Sequence, residues 1–167
     1  GREVASGETG EICVCGPAVF AGYYNNPEAN AKAFRDGWFC TGDLGHVDNE
    51  GFLYITGRAS DMYISGGSNV YPRETEEKVL THPAIAEVAI LGVPDRTWGE
   101  VGVAVCVLRP GAKLGEDELL GWLAPKVARY KLPKRVFFWE ELPKSGYGKI
   151  TKKSIRAELE ARGSLPL

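Results

Sequence analysis

The chain has 167 residues, 44% hydrophobic and 25% charged, with a formal net charge of -2, a composition that fits one ordinary globular domain or two small pieces. Acidic and basic residues are interspersed, which argues against a nucleic-acid partner or an anionic membrane. No apolar run reaches the roughly 18 residues of a membrane-crossing helix and no charged-then-apolar leader opens the chain, so the expectation is a soluble, cytoplasmic protein with no transmembrane segment. The four cysteines, Cys13, Cys15, Cys40 and Cys106, lack zinc-site spacing, and only two histidines exist. They read as reduced core residues, with a metal or disulfide role as the second reading and no metal ligands assigned.

The first ten residues are polar and glycine-containing, and Gly1 reads as a boundary inside a larger fold. A strand is predicted over 11–15, then Asn26 caps a short helix over 27–34 with Pro27 in its first turn. Two short strands, 38–41 and 44–47, are expected around Gly42 and Asp43. Asp48, Asn49, Glu50 and Gly51 form a turn before a strand over 52–56 that runs straight into Arg58. By pattern alone Asp43 and Arg58 are more often a surface ion pair or turn residues than a site. A carboxylate and a guanidinium at neighbouring strand ends nevertheless suit a vicinal diol such as that of ribose.

From Asp61 the chain has its own cycle of elements, which suggests a second domain. A β-branched and aromatic run, 62–65, is followed by Gly66 and Gly67 in a loop of little bulk, and Pro72 opens a helix over 72–81 with acidic residues in its first turn. That helix is expected to turn Thr75, Val79 and Leu80 inward and leave Glu76, Glu77 and Lys78 largely solvated. Apolar runs 86–93 and 101–108 read as neighbouring strands, joined by a loop through Pro94, Asp95 and Trp98. A helix over 116–128 should be kinked or shortened by Pro125. A strand over 135–139 and a terminal helix over 151–162 complete the chain, and the segregation of helices and strands fits an α+β fold.

Four stretches carry a family resemblance. They are GYYNNPEANAKAF (22–34), GWFCTGDLG (37–45), TGRASDMYISGGSNVYPRETEE (56–77) and LPKSGYGKI (142–150). In this order they resemble the acyl-adenylate-forming enzymes, the superfamily of acyl-CoA synthetases, peptide-synthetase adenylation domains and luciferases. That family's Ser/Thr/Gly-rich phosphate loop does not occur in these residues, so the chain reads as the C-terminal part of a longer enzyme. The resemblance implies that residues 1–60 are the β-rich end of the large AMP-binding domain. Residues 61–167 would be a small, mobile C-terminal domain with a mainly antiparallel sheet and flanking helices.

The resemblance also assigns roles. Asp43 and Arg58 would bind the ribose hydroxyls of ATP and AMP, Asp61 would be the hinge, and Ser65, Gly66, Gly67 and Ser68 would line the passage for the pantetheine arm of CoA. Lys149, on a loop where Gly146 and Gly148 flank Tyr147, would be catalytic in adenylation; a lone lysine beside glycine is otherwise a solvated loop residue. Mg²⁺ ligands are expected in the upstream portion. Three positions depart from the family's usual residues: Ser60 where lysine is frequent, Tyr63 where isoleucine is usual and Ser68 where glutamate is common. They put the acceptor side of the chemistry in question and leave Asp43, Arg58, Asp61 and Lys149 intact.

The implied function is that of an ATP-dependent acid:CoA ligase acting on a fatty or other hydrophobic carboxylic acid, with ATP, CoA and the missing N-terminal domain as partners. An enzyme that loads a carrier-protein phosphopantetheine and a noncatalytic nucleotide-binding domain are the alternatives. The isolated 167 residues are expected to be inactive.

Overall fold

The computed structural model describes residues 1–165, and the chain divides into two units, Gly1–Ser60 and Asp61–Leu167. In the first unit, strand β1 (Gly10–Val14) is followed by helix α1 (Pro27–Ala33), strand β2 (Phe34–Arg35), strand β3 (Trp38–Val47) and strand β4 (Leu53–Arg58). Asn26 caps α1 by accepting a 3.0 Å hydrogen bond from the Ala29 amide, and Pro27 occupies a first-turn position that needs no donor. β3 is the spine of an antiparallel sheet: Phe39 opposes both Val14 of β1 and Phe34 of β2, and Leu44 opposes both Glu11 of β1 and Gly57 of β4.

The two short strands expected around Gly42 and Asp43 are one ten-residue strand. Gly42 takes a left-handed conformation (φ +74°) and the ladder to β4 shifts register between Leu44 and Gly45, so the strand absorbs the irregularity instead of ending there. The turn after β3 is held by Asp48, whose Oδ1 accepts from the amides of Glu50 and Phe52, both at 2.9 Å.

A 3₁₀ turn (Ala59–Asp61) precedes the second unit's strands β5 (Tyr63–Ser65) and β6 (Ser68–Val70), helix α2 (Pro72–Leu80), and strands β7 (Ile85–Asp95) and β8 (Gly99–Leu108). Helix α3 (Glu116–Leu123), strand β9 (Arg135–Trp139) and helix α4 (Lys152–Ala161) follow. The strand order is β6-β5-β8-β7, with β9 also paired to β8; that pair is parallel and the others are antiparallel. This is the mainly antiparallel sheet with flanking helices that the sequence led us to expect.

β7 and β8 read as continuous apolar runs because both faces of the sheet are covered. One set of alternate residues, Ala89, Leu91, Val93, Val103 and Val105, joins Trp139, Leu142 and the α4 residues Ile155 and Leu159. The other set, Val88, Ile90, Ala104 and Cys106, joins Val79 of α2, Leu119 and Leu123 of α3, and Val136. Ile155 and Leu159 are fully buried, each contributing about 1.5–3 kcal/mol by burial. They fix the helix that follows the Lys149 loop.

Pro125 shortens the third helix as expected, and two details of α2 differ. The third helix stops at Leu123, and Pro125 sits in a separate 3₁₀ turn (Ala124–Lys126), because proline lacks the donor and clashes with the carbonyl four residues back. Thr75 and Val79 are buried as expected, but Leu80 is 44% exposed, one residue (about 100° of helix) past the buried stripe. Glu76 is less solvated than expected: its Oε1 accepts a 2.7 Å hydrogen bond from the Ile90 amide of β7.

Tyr63 explains its own departure from the family's usual isoleucine. Gly92 and Gly102 face each other in the β7–β8 ladder, and a Cβ on either would overlap the Tyr63 side chain. The missing side chains form a slot, and Tyr63, 2% exposed, fills it. Its hydroxyl has no hydrogen-bond partner among the described residues, and burial raises its pKa far above the phenolic range. No helix among the described residues is long and apolar enough to cross a membrane.

Candidate functional site

Asp43 and Arg58 are brought together by the β3–β4 ladder, where they are register partners, with Arg58 Nε 3.0 Å from Asp43 Oδ1. The local reason lies in three residues. Gly42 provides the left-handed turn, and Thr41 Oγ1 donates to the Ile12 carbonyl at 2.8 Å while accepting the Asp43 amide at 3.0 Å. The carboxylate is thereby placed at a fixed point on the sheet. The Arg58 side chain is 64% exposed and that of Asp43 32%, so the ion pair itself adds little stability. Both groups are open to a ligand bearing hydroxyls.

Asp61 opens the second unit. Its Oδ2 lies 3.5 Å from Lys152 Nζ, and the same ammonium lies 2.7 Å from Glu76 Oε1. Because Glu76 also holds the Ile90 amide, Asp61, α2, β7 and the first turn of α4 share one charged cluster. Lys152 is three residues past Lys149, so the lysine loop ends on a helix tied to the residue expected to be the hinge.

Ser65 and Ser68 are paired, and Gly66 (φ +56°) and Gly67 (φ +81°) form the two-residue connection between β5 and β6. Left-handed conformations at both positions are those of a type I′ hairpin, which glycine adopts without strain. The turn is anchored to the start of β8: Gly66 N donates to the Trp98 carbonyl at 2.9 Å, and Ile64 N to Glu100 Oε2 at 3.0 Å. The Trp98 ring covers Gly66 so closely that a Cβ there would lie 2.7 Å from Cε3.

Beside this turn is a cavity of about 670 Å³ whose wall includes Ser65, Trp98, Arg129, Tyr130 and Lys134. Lys134 Nζ is held 2.5 Å from Asp95 Oδ2, and this bond, with the Thr97 and Trp98 amides, lowers the Asp95 carboxyl to about 2. Sequence reasoning placed Trp98 in a loop and passed over Arg129, Tyr130 and Lys134. Their only signal is the β5–β8 pairing, Ser65 opposite Gly99, which joins segments more than thirty residues apart.

Lys149 lies on a closed turn. Ser145 N donates to the Lys149 carbonyl at 2.8 Å, Gly148 N to the Ser145 carbonyl at 2.8 Å, and Lys144 and Ile150 form a bridge at the base. Lys149 is exposed, and its ammonium has no carboxylate within salt-bridge distance among the described residues. Lys144, which the sequence left between a solvated and a phosphate-facing role, is instead paired with Glu87 of β7 at 2.8 Å. The structure therefore separates the two loop lysines: one is committed to the sheet and the other is available.

Residues 74–149 match the AMP-binding enzyme C-terminal domain family. The chain is 48% identical over 156 residues to a feruloyl-CoA synthase of Amycolatopsis sp., covering 93% of this chain and 32% of that protein. It is 49% identical over 162 residues to the indoleacetate–CoA ligase of Aromatoleum aromaticum, covering 97% of this chain and 32% of the relative. Among solved structures, ATP-bound MatB from Rhodopseudomonas palustris superposes with a TM-score of 0.89 at 41% identity, covering 96% of this chain and 32% of that one. The chain thus spans about a third of the length of the curated relatives it matches. Residues 74–149 thus carry the C-terminal domain of AMP-binding enzymes, and the chain as a whole is similar to part of these acyl-CoA ligases and adenylate-forming structures.

Proposed function

We propose that this chain is part of an ATP-dependent acid:CoA ligase that activates a hydrophobic carboxylic acid, fatty or aromatic, as acyl-AMP and transfers the acyl group to CoA. Residues 1–60 are read as the end of the large AMP-binding domain and 61–167 as the mobile C-terminal domain, with the hinge at Asp61. The cytoplasmic location expected from the sequence belongs to the same proposal.

The observation that carries it is the Lys149 loop, an exposed ammonium without a carboxylate partner among the described residues, in a chain 48% identical to a CoA synthase. In the first half-reaction the substrate carboxylate attacks the α-phosphorus of ATP and pyrophosphate leaves. A cation at the tip of a closed turn offsets the charge that builds on the phosphoryl oxygens. Asp43 accepts hydrogen bonds from the ribose hydroxyls and Arg58 donates from the adjacent strand end.

In the second half-reaction the CoA thiol attacks the acyl carbonyl and AMP leaves. The backbone of the Gly66-Gly67 turn, open at Gly67 and covered by Trp98 at Gly66, allows close approach of a thin pantetheine arm, and the cavity beside it offers an aromatic wall with Arg129 and Lys134. Such a mixture of apolar and cationic surface suits a phosphorylated, partly apolar ligand. Mg²⁺ demands oxygen ligands in octahedral geometry. The one three-ligand group among the described residues, Glu11, Cys13 and Cys40, has two sulfurs and does not fit it. That the Mg²⁺ ligands lie in the upstream portion is part of the same proposal.

The test is acid-dependent pyrophosphate release by the full-length protein across short, long-chain and aromatic acids, with and without CoA. One acid class should support release with CoA consumption, and Lys149→Ala should lower the adenylation rate by about 100- to 1000-fold, the scale of removing one preorganised charge-stabilising donor. Release without CoA consumption, but with loading of a holo-carrier protein, would move the acceptor to that partner. An unchanged rate in Lys149→Ala would overturn the catalytic assignment.

A further inference from the structure

Outside the groups discussed above, the first unit holds a cluster with its own chemistry. Cys13 of β1 and Cys40 of β3 are register partners, and their sulfurs lie 3.6 Å apart. Directly opposed residues of an antiparallel ladder have Cα atoms about 4.5–5.5 Å apart, within the roughly 4.4–6.8 Å that a disulfide spans. Cys13 is exposed and Cys40 is buried. Arg35 links the group: its Nε donates to Cys40 Sγ at 3.1 Å while its NH2 group pairs with Glu11.

We propose that Cys13 and Cys40 are a redox-responsive dithiol that closes to a cross-strand disulfide on exposure to a peroxide. The inference does not depend on the ligase reading. The exposed Cys13 sulfur attacks one peroxide oxygen, the O–O bond breaks, and a sulfenic acid and one water result. Cys40 then attacks the Cys13 sulfur; the S–O bond breaks, the S–S bond forms and a second water leaves with the Cys40 proton. Two thiols are oxidised by two electrons and one peroxide is reduced to two waters. Arg35 stabilises the negative charge that the Cys40 sulfur carries as it attacks.

The surroundings favour this over the alternatives. Glu11, Cys13 and Cys40 offer three donor atoms within 4.8 Å of one another, but the Arg35 guanidinium already binds both Glu11 and Cys40 and fills the place of a cation. Burial, followed by the hydrogen bond with Cys40, raises the Cys13 thiol above its ordinary value. A thiol held protonated reacts slowly, so closure requires sustained exposure to the peroxide. Cys106 is fully buried, with its thiol pushed up to about 12, and takes no part. The bond would join β1 to β3 three residues before Asp43.

The test treats the full-length protein with hydrogen peroxide, blocks free thiols with a maleimide and digests without reductant. The expected product is a linked peptide containing Cys13 and Cys40, two hydrogens lighter than its parts. Maleimide labelling should be lost at both positions and restored by dithiothreitol. In Cys13→Ser, Cys40 should keep its label through the same treatment, whereas Cys15→Ser should behave as the parent. Failure to find the linked peptide at peroxide doses that oxidise an exposed control thiol would overturn the proposal, as would equal loss of Cys40 labelling in Cys13→Ser.

Discussion

The two units handle their apolar residues in opposite ways. In the second, alternate residues of β7 and β8 point to two faces, and each face has a helical cover, so Ile90, Val103, Val105, Ile155 and Leu159 are all fully buried. In the first, Trp38, Phe52, Leu53 and Ile55 are 47%, 61%, 52% and 54% exposed, and Cys40 is the only buried hydrophobic among the described residues. A seven-residue helix cannot cover a four-stranded sheet. Both units carry strands of good β-forming residues. What separates them is a second layer, and with it the hydrophobic driving force that a small domain needs to stand alone.

The most drastic way to break that comparison is to separate the units. Residues 61–167 expressed alone should unfold cooperatively in urea with a near-ultraviolet signal from packed aromatics, whereas residues 1–60 alone should show no cooperative transition. A sharp transition in the shorter piece would mean that its sheet needs no further cover.

Within the second unit, the Tyr63 slot tests how tightly the core is filled. Gly102→Ala places a methyl where the Tyr63 hydroxyl lies and should destabilise by about 1–3 kcal/mol, the range for overpacking. Adding Tyr63→Phe removes the overlapping oxygen and should recover part of the loss, a non-additivity that a double-mutant cycle in urea would measure. Strict additivity would show that the two positions do not meet.

A smaller, pH-dependent effect is expected at the cavity rim. Asp95 has its carboxyl lowered from 3.8 to about 2, first by the Lys134 hydrogen bond and then by the Trp98 and Thr97 amides. A depressed carboxylate contributes stability that is fully present above the unfolded value and is lost as pH falls through the folded one. Asp95→Asn should therefore lower the urea midpoint at pH 6 and match the parent below pH 2. A gap that persists in acid would assign the effect to packing and not to charge.

The smallest change is Tyr63→Phe alone. The hydroxyl is buried without a partner among the described residues, so removing it should leave stability unchanged or raise it by up to about 1 kcal/mol. A loss larger than that, measured in the same titration, would reveal a partner for the hydroxyl.

Much of the candidate site was legible because it is written in local chemistry. Asp43 beside Gly42, Arg58 at a strand end, the Gly66-Gly67 turn and Lys149 after Gly148 each lie in a short motif, and the family resemblance of those motifs, not pattern alone, singled them out. The cavity residues Trp98, Arg129 and Lys134 were not singled out, since they flank the turn only through the β5–β8 pairing and the return of the chain before β9. Cys13 and Cys40 were equally hidden. Their spacing matches no metal or disulfide pattern, and only the β1–β3 register makes them neighbours. The helix expected over 116–128 is shortened at Pro125, as the proline's missing donor predicted.

By itself the sequence determined where elements start and turn. Asn26 before Pro27, Pro72 before acidic residues, Asp48 at a tight turn and two glycines between serines each act through hydrogen bonds or torsions within a single turn of chain. Continuous apolar, β-branched runs likewise marked β7 and β8 as strands. Only the tertiary structure decided which strands became neighbours, that β9 runs parallel to β8, and that Tyr63 would find a slot between Gly92 and Gly102. Burial is non-directional: an apolar run states that it must be covered, but any apolar partner of suitable shape satisfies it, and the choice is made when the whole core is assembled.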